Sequence, residues 1–433
     1  MDIQTKQNGL INRDLAGGFG SRSIMGDSIL AKAITLAKRR GIRLPVMSLG
    51  YLASIFYSSG WEVEVCKNGD NIQSDLVIIA SSIVGYKDEL EAAKRVKRNS
   101  KAIVGFIGPF SAVKREIFFD TCDFIIDGEP EEIAMKMAKG YVPKGLEKSN
   151  AIEDLDILPF PKWDLFPVNE YSYFPTLTKL PFMTIQSSRG CPFSCYYYCP
   201  YIVQQGRRYR YRSVDSVVRE IEDLQKRFLI RGLLFRDPIF TFNKERAINI
   251  AEEMIRRKSS VYWACETHLS TLSKELIDIL YRAGLRAINV GIEGINKDVL
   301  ERMHRVVIDQ EHRENIIVYC EKKGIKISAF YILGSPSDNK ENIGSLIKYA
   351  KKLNTSAAQF TISTPYPGTL YHEDMKDKID VEDWEKFNGF TPVFKHPTIS
   401  KRDLLKLKEH AFTSFYFQPR WLLKFIVNNL LKK

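Results

Sequence analysis

Met183-Thr184-Ile185-Gln186-Ser187-Ser188-Arg189-Gly190-Cys191-Pro192-Phe193-Ser194-Cys195-Tyr196-Tyr197-Tyr198-Cys199 decides how this chain is read. Its first four residues read as a short strand, and three of the seven cysteines follow within nine residues. Ser213 then caps a helix through Val217, Val218, Ile221 and Leu224, a serine ahead of an amphipathic run being a helix-start signal. The pattern repeats. Strands at 232–235, 261–264, 287–292, 327–332 and 358–362 alternate with helices at 244–257, 273–283, 297–303, 311–323 and 342–353. Six β/α units over residues 181–374 predict a partial (β/α)6 TIM-like barrel, whose chemistry belongs at the carboxyl ends of its strands. The cysteine loop lies at the first of those ends.

Residues 1–146 carry a second α/β series. Runs at 61–65, 75–80, 102–107 and 124–126 read as short β-branched strands, and helical spacing covers 29–38, a segment after Ser48, 87–98, 111–119 and 131–138. Strands apolar on both faces between helices predict an open, doubly wound, Rossmann-like sheet. Such sheets bind ligands at their strand carboxyl ends, which makes Ser81, Ser82, Gly108, Gly128 and Glu129 candidate binding residues. Read locally, the same residues are ordinary turn formers. No G-x-G-x-x-G follows a first strand, so a dinucleotide reading is poorly supported. Residues 147–180 read as a linker rich in Pro and aromatics, and 375–433 as a C-terminal helical region with a basic amphipathic tail.

At 433 residues, 44% hydrophobic and 27% charged, the chain has a globular composition with material for more than one core, which excludes a disordered or low-complexity protein. No apolar run reaches the roughly 20 residues of a spanning helix, and the first residues open no signal peptide, so the expected address is cytoplasmic. The net charge of +12 is uneven: residues 401–433 hold eight Lys or Arg against two acidic residues. The tail after Trp421 suits either an anionic lipid surface or a helix docked on the barrel. A second basic knot, Arg207-Arg208-Tyr209-Arg210-Tyr211-Arg212, superficially suits single-stranded nucleic acid. A solvated, ion-paired loop is the preferred reading.

Three closely spaced thiolates are able to hold three irons of a [4Fe–4S] cluster and leave the fourth open to a ligand. The spacing also allows a zinc knuckle or plain buried thiols. A closed zinc site needs a fourth ligand, and the next Cys or His residues are Cys265 and His268.

With these residues in view the chain resembles, over nearly its whole length, the radical S-adenosylmethionine (SAM) enzymes that carry an N-terminal cobalamin-binding domain. The resemblance rests on Ser188 to Cys195 at the cluster loop, Arg236-Asp237-Pro238-Ile239-Phe240, Gly291-Ile292-Glu293-Gly294, Gly334-Ser335-Pro336 and Thr364 to Thr369. In the N-terminal part it rests on the segments ending at Ser82, Pro109 and Glu131. Two departures stand out. The family spacing is C-x3-C-x2-C, whereas three residues separate Cys195 from Cys199 here, and residues 1–150 contain no His to ligate cobalt.

The resemblance implies that Cys191, Cys195 and Cys199 ligate the cluster and that SAM chelates the open iron. Reductive cleavage of SAM would give a 5′-deoxyadenosyl radical, and methyl transfer from cobalamin to a substrate carbon is the commonest outcome. It implies that Tyr198 approaches the adenine, with Tyr196 and Tyr197 left to packing. Arg236, Asp237, Glu266 and Glu293 become candidate SAM contacts, and His268 a candidate acid–base group. The expected partners are a small-molecule or lipid-like substrate, a flavodoxin- or ferredoxin-type electron donor and a membrane surface touched peripherally, with no nucleic acid. A cyclase without methyl transfer and a non-catalytic corrinoid or iron–sulfur sensor are the alternatives.

Overall fold

The structure is a computed structural model that describes residues 1, 12–13, 15–67 and 72–427. Two parallel sheets organise it. The first contains β1 (Leu76–Ala80), β2 (Ile103–Ile107), β3 (Phe124–Asp127) and β4 (Gly145–Lys148), paired in that order. Alternate residues of β1 enter different cores. Val77 and Ile79 pack with Ala92, Ala93 and Val96 of the Tyr86–Asn99 helix, whereas Ile78 and Ala80 face the core containing Met47–Ser58 and Glu131–Met137. Both faces are thus covered by helices, as the near-continuous apolar strands require.

Two expected details differ. The run 61–65 forms no ladder among the described residues: Val63 and Val65 pack against the core, while Trp61, Glu62 and Glu64 face outward. The fourth strand is instead β4, whose Gly-Leu-Glu-Lys sequence is half polar because it lies at the sheet edge.

The second sheet has six parallel strands in sequential order: β5 (Phe182–Ile185), β6 (Gly232–Phe235), β7 (Tyr262–Thr267), β8 (Leu285–Glu293), β9 (Lys326–Leu333) and β10 (Ala357–Ile362). β5 and β6 are buried along their whole length, and each fully buried Leu or Phe contributes about 1.5–3 kcal/mol. Side-chain caps start the intervening helices: Ser213, Asn243, Ser273, Asp309 and Asn339 each accept a backbone N–H two or three residues into the helix.

The sheet does not close on itself; β10 and β5 are its two edges. The seam between them is filled by the Ile29–Gly41 helix and by Ile42–Arg43, which pair antiparallel with Ser172–Tyr173. Tyr173 stacks on Phe182 of β5 at 6.0 Å, and Lys38 Nζ donates to Ala358 O of β10 at 3.1 Å.

The C-terminal Lys401–Tyr416 helix lies along β10, and the Pro419–Ile426 helix docks through Trp421, which is buried, and Lys424, which pairs with Glu321 at 2.7 Å. Leu422, Leu423, Ile426 and Val427 face outward. The rest of the basic tail, 428–433, lies outside the described residues. Among the described residues no helix is long and apolar enough to cross a membrane.

One position tests the packing of the first sheet. A Cβ on Gly105 would sit 2.0 Å from the Phe124 ring on the neighbouring strand. Gly105→Ala is therefore expected to destabilise by about 1–3 kcal/mol, read as a lower denaturant midpoint at unchanged m-value; an unshifted midpoint would mean the ring moves aside freely.

Candidate active site

Beyond β5 the chain makes a hairpin stem, Ser188–Arg189 against Arg210–Tyr211, and residues 190–209 loop out from it. Gly190 has φ +82°, and a Cβ there would meet Arg208 O at 1.9 Å. Only glycine lets the loop leave the stem so tightly.

Three buried carboxylates hold this stem. Asp237, after β6, accepts from Ser187 N (2.7 Å), Ser187 Oγ (2.6 Å) and Ser188 Oγ (2.6 Å). Glu129, after β3 of the other sheet, accepts from Arg189 Nη1 (2.9 Å) and Arg210 Nη1 (3.0 Å), while Glu131 takes Arg189 Nη2 at 2.7 Å. All four side chains of this second network are at most 6% exposed.

Within the loop, Cys191 and Cys195 are buried and Cys199 half-buried. Cys195 and Cys199 occupy one turn: Cys199 N donates to Cys195 O at 3.0 Å, an i→i+4 bond. Residues four apart share a helical face, so the third intervening residue is absorbed by winding the loop. Arg305 Nη1 lies 3.7 Å from Cys195 Sγ. A hydrogen bond from the Cys199 thiol, helped by Arg305, holds the Cys195 thiol down to about 6, whereas burial pushes Cys191 up to about 11. Among the described residues no group of three or more Cys, His, Asp or Glu side chains is placed to hold a metal ion.

The three cysteines line a cavity of about 410 Å³ that runs into the barrel mouth, with Tyr198, Glu266, His268, Asn289, Glu293 and Arg305 also on its walls. His268 is buried, stacks on Phe193 of the cysteine loop at 4.6 Å, and receives Ser270 N on Nδ1 at 3.3 Å. That bond puts the ring proton on Nε2, which has no partner. Burial pushes the imidazole down to about 3, so it is neutral at physiological pH. The expected acid–base role near neutrality gives way to that of a fixed N–H donor.

Asn289 Oδ1 is a second buried polar atom without a partner. Its Nδ2 donates to Tyr173 OH at 2.7 Å. Glu293 has φ +64° beside a register shift between β8 and β9; a non-glycine residue in that region is strained and common at functional sites. Burial raises its carboxyl to about 7, against the pull of Arg305 3.8 Å away. Asn289 and Arg305 were not legible as site residues, because one reads as a strand interior and the other as surface charge.

A second, smaller crevice of about 70 Å³ lies at the strand ends of the first sheet. Ser81, Gly108 and Glu129 line one side, Tyr201, Gln204 and Arg236 the other, and Gly17 and Gly18 also border it. Ser81 Oγ is buried without a partner.

Several anticipated residues serve otherwise. Ser82 gives its N–H and Oγ to Glu89 at 3.0 and 2.8 Å and faces away from the crevice. Gly128, with φ +105°, turns the chain against Ser149 O. Glu129 borders the crevice, but its charge is taken by two guanidiniums. Asp237 is fully buried under the hairpin stem rather than facing a ligand. Arg236 pairs with Glu266 and lines the crevice instead of the cysteine cavity. The basic knot is ion-paired as expected, but only Arg207 and Arg208 of its four arginines are solvent-exposed, whereas Arg210 and Arg212 are buried against Glu129 and Glu220.

Glu129→Gln keeps the shape but leaves the buried Arg210 guanidinium without a carboxylate and Arg189 with Glu131 alone. The expected loss is about 3–5 kcal/mol, measured as a lowered unfolding temperature; a loss under about 1 kcal/mol would show that the network carries little of the docking.

Residues 185–350 match the Radical SAM superfamily model. The chain is 29% identical over 385 residues to an uncharacterized methyltransferase of Pyrococcus horikoshii, covering 83% of each chain. It is 25% identical over 412 residues to the anaerobic magnesium-protoporphyrin IX monomethyl ester cyclase of Rubrivivax gelatinosus, covering 86% of this chain and 73% of the relative. Its fold is shared with the radical S-adenosylmethionine methyltransferase TsrM of Kitasatospora setae, solved with cobalamin and a [4Fe–4S] cluster bound. The TM-score there is 0.63 at 16% identity, over 77% of this chain and 72% of that one. The segment that matches the Radical SAM superfamily model begins at the end of β5 and spans the cysteine loop and strands β6 to β9.

Proposed function

We propose that this chain is a cobalamin-dependent radical SAM methylase acting on a carbon of a largely apolar substrate. The observation that carries the reading is the cysteine loop: three thiols on one wound loop, open to an enclosed cavity whose walls hold the orphaned polar atoms of His268 and Asn289. Buried polar groups without partners cost free energy, and a bound ligand rich in nitrogen and oxygen would satisfy them. The donor set fits SAM over a [4Fe–4S] cluster.

Bound there, a cluster and SAM would supply a 5′-deoxyadenosyl radical, and a methylated corrinoid would supply the methyl group. The residues do the rest. Cys191, Cys195 and Cys199 would hold three irons, and the Arg305 guanidinium, 3.7 Å from Cys195 Sγ, would offset thiolate charge there. Tyr198, beside Cys199 on the cavity wall, presents its ring to the ligand. His268 Nε2–H donates, Asn289 Oδ1 accepts, and Glu266, its charge balanced by Arg236, borders the same space. The apolar walls exclude water from the reacting atoms, which is a positioning contribution.

For a corrinoid, the residues at the strand ends of the first sheet fit in kind: the orphaned Ser81 hydroxyl, Gly108, and Gln204 across the crevice. They enclose too little space for it while Ala16–Gly18 packs against Tyr201, so binding requires that turn to withdraw. No histidine precedes residue 150, so cobalt would have no histidine ligand from this part of the chain.

A flavodoxin- or ferredoxin-type protein would deliver the electron. The outward Leu422, Leu423, Ile426 and Val427 support contact with an anionic lipid surface. A second reading, ring closure without methyl transfer, is favoured by the similarity to the cyclase of Rubrivivax gelatinosus.

The test is anaerobic turnover of cluster-reconstituted protein with a low-potential reductant and SAM carrying a deuterated methyl group. Formation of 5′-deoxyadenosine, abolished in Cys195→Ala, is expected, with label in the product of a cell extract supplied as substrate. 5′-Deoxyadenosine with an unlabelled product would favour the cyclase reading. An intact cluster that yields none at all would reject both.

A further inference from the structure

The cysteine cavity is longer than its reactive end. From the cysteine loop it runs past Ile239, Phe330 and Ile332 and extends to Lys38, Gln359 and Thr361 at the barrel seam. Lys38 is held there by the helix that plugs the gap between β10 and β5.

The charged groups on the walls differ in their partners, and Arg39, which borders the cavity beside Lys38, donates to Ser23 O at 3.2 Å. Glu266 is paired with Arg236, and Glu293 lies 3.8 Å from Arg305. Lys38 Nζ touches only neutral oxygens, Ala358 O at 3.1 Å and Gln359 Oε1 at 2.5 Å, together with the rings of Phe412 and Tyr416 at 5.2 and 5.5 Å. Among the described residues no carboxylate contacts it. An ammonium carries three donors, so one N–H remains beyond the two oxygens it meets. Aromatic faces soften the burial of a cation by about 0.5–2 kcal/mol without neutralising it.

We propose that this end of the cavity is an anion-binding subsite: the cavity takes a substrate with an apolar body and one anionic group, carboxylate or phosphate, which the Lys38 ammonium holds. The proposal deepens the methylase reading and rests on it for the word substrate. Burial pulls the ammonium down to about 7, and an anion in contact would favour the charged form again. Anchoring one end of the molecule at the seam fixes which carbon of its body lies beside the cysteine loop, so Lys38 is a positioning residue rather than a catalytic one.

The experiment titrates full-length, cluster-loaded protein anaerobically with dodecanoate, dodecyl phosphate and dodecanol, followed by calorimetry. Wild type is expected to bind at least one of the two anions about 10- to 100-fold more tightly than the alcohol, the range for one charge-assisted hydrogen bond. The tighter anion identifies the headgroup. Lys38→Gln should erase the preference by weakening the anion and sparing the alcohol, and Lys38→Arg should keep it, which separates lost charge from lost fold. Equal binding of all three ligands, a preference that survives Lys38→Gln, or no binding of either anion overturns the proposal. Because the titration needs neither SAM nor reduction, its failure leaves the radical chemistry standing, and failed SAM cleavage leaves the subsite standing.

Discussion

A buried carboxylate between two guanidiniums joins the halves of this molecule. Glu129 ends a strand of the first sheet; Arg189 and Arg210 are the two strands of the hairpin from which the cysteine loop leaves the second. Taking these charges out of water is expensive, and the arrangement is tolerable only because nearly every donor is spent: Arg210 also donates to Ile152 O and Gln205 O, and Arg189 to Gln186 Oε1. An apolar contact of equal area would hold the sheets together as well, but it would slide. The forked guanidinium geometry has one register, so the strand ends of the first sheet face the cysteine loop at a fixed distance. Asp237 does the same from inside the barrel, tying the foot of the stem to the end of β6.

The extra residue in the cysteine loop shows how a local rule survives a change of spacing. Two intervening residues place side chains three apart on a turn, and three place them four apart; both spacings lie on one helical face. Here the loop adopts the second, with Cys195 O accepting from both Tyr198 N and Cys199 N. The added tyrosine is accommodated by packing. Tyr197 packs at a tilt against His304 and Tyr371 and donates to Asp374, Tyr196 lies under Arg207, and Tyr198 alone of the three lines the cavity.

What was legible in the sequence follows the range of the interactions involved. β6 was readable to the residue, because Gly232-Leu233-Leu234-Phe235 is fully buried and needs only its own apolarity to be a strand. The run 61–65 alternates like a strand yet pairs with nothing among the described residues, since pairing depends on a partner that alternation does not name. The strand-end acids misled for a related reason. Asp237 and Glu129 have the chemistry of ligand-binding groups, and their actual partners lie roughly 50 to 80 residues away in sequence. Arg305, Asn289 and Lys38 are not legible in sequence because nothing local distinguishes them from a surface arginine, a strand polar residue and a helix-end lysine.

The distribution of charge along the cavity follows from the same physics as its reactive end. A radical reaction on carbon needs no strong acid or base, and an ionised group near it would hold water. The walls accordingly balance Glu266 against Arg236, keep His268 neutral by burial, and set Glu293 beside Arg305. The groups left over are donors and acceptors of fixed direction. Hydrogen bonds of that kind orient a ligand without drawing solvent behind it, and in a low-dielectric space they hold more firmly than in water. At the seam the pattern breaks, and an ammonium stands against neutral oxygens. A cation placed where its image charge is missing is stable only at some cost to the fold, and that cost is recovered whenever an anion arrives. On the proposed reading the barrel would separate two tasks by distance: a balanced end where bonds change, and an unbalanced end where the molecule is held.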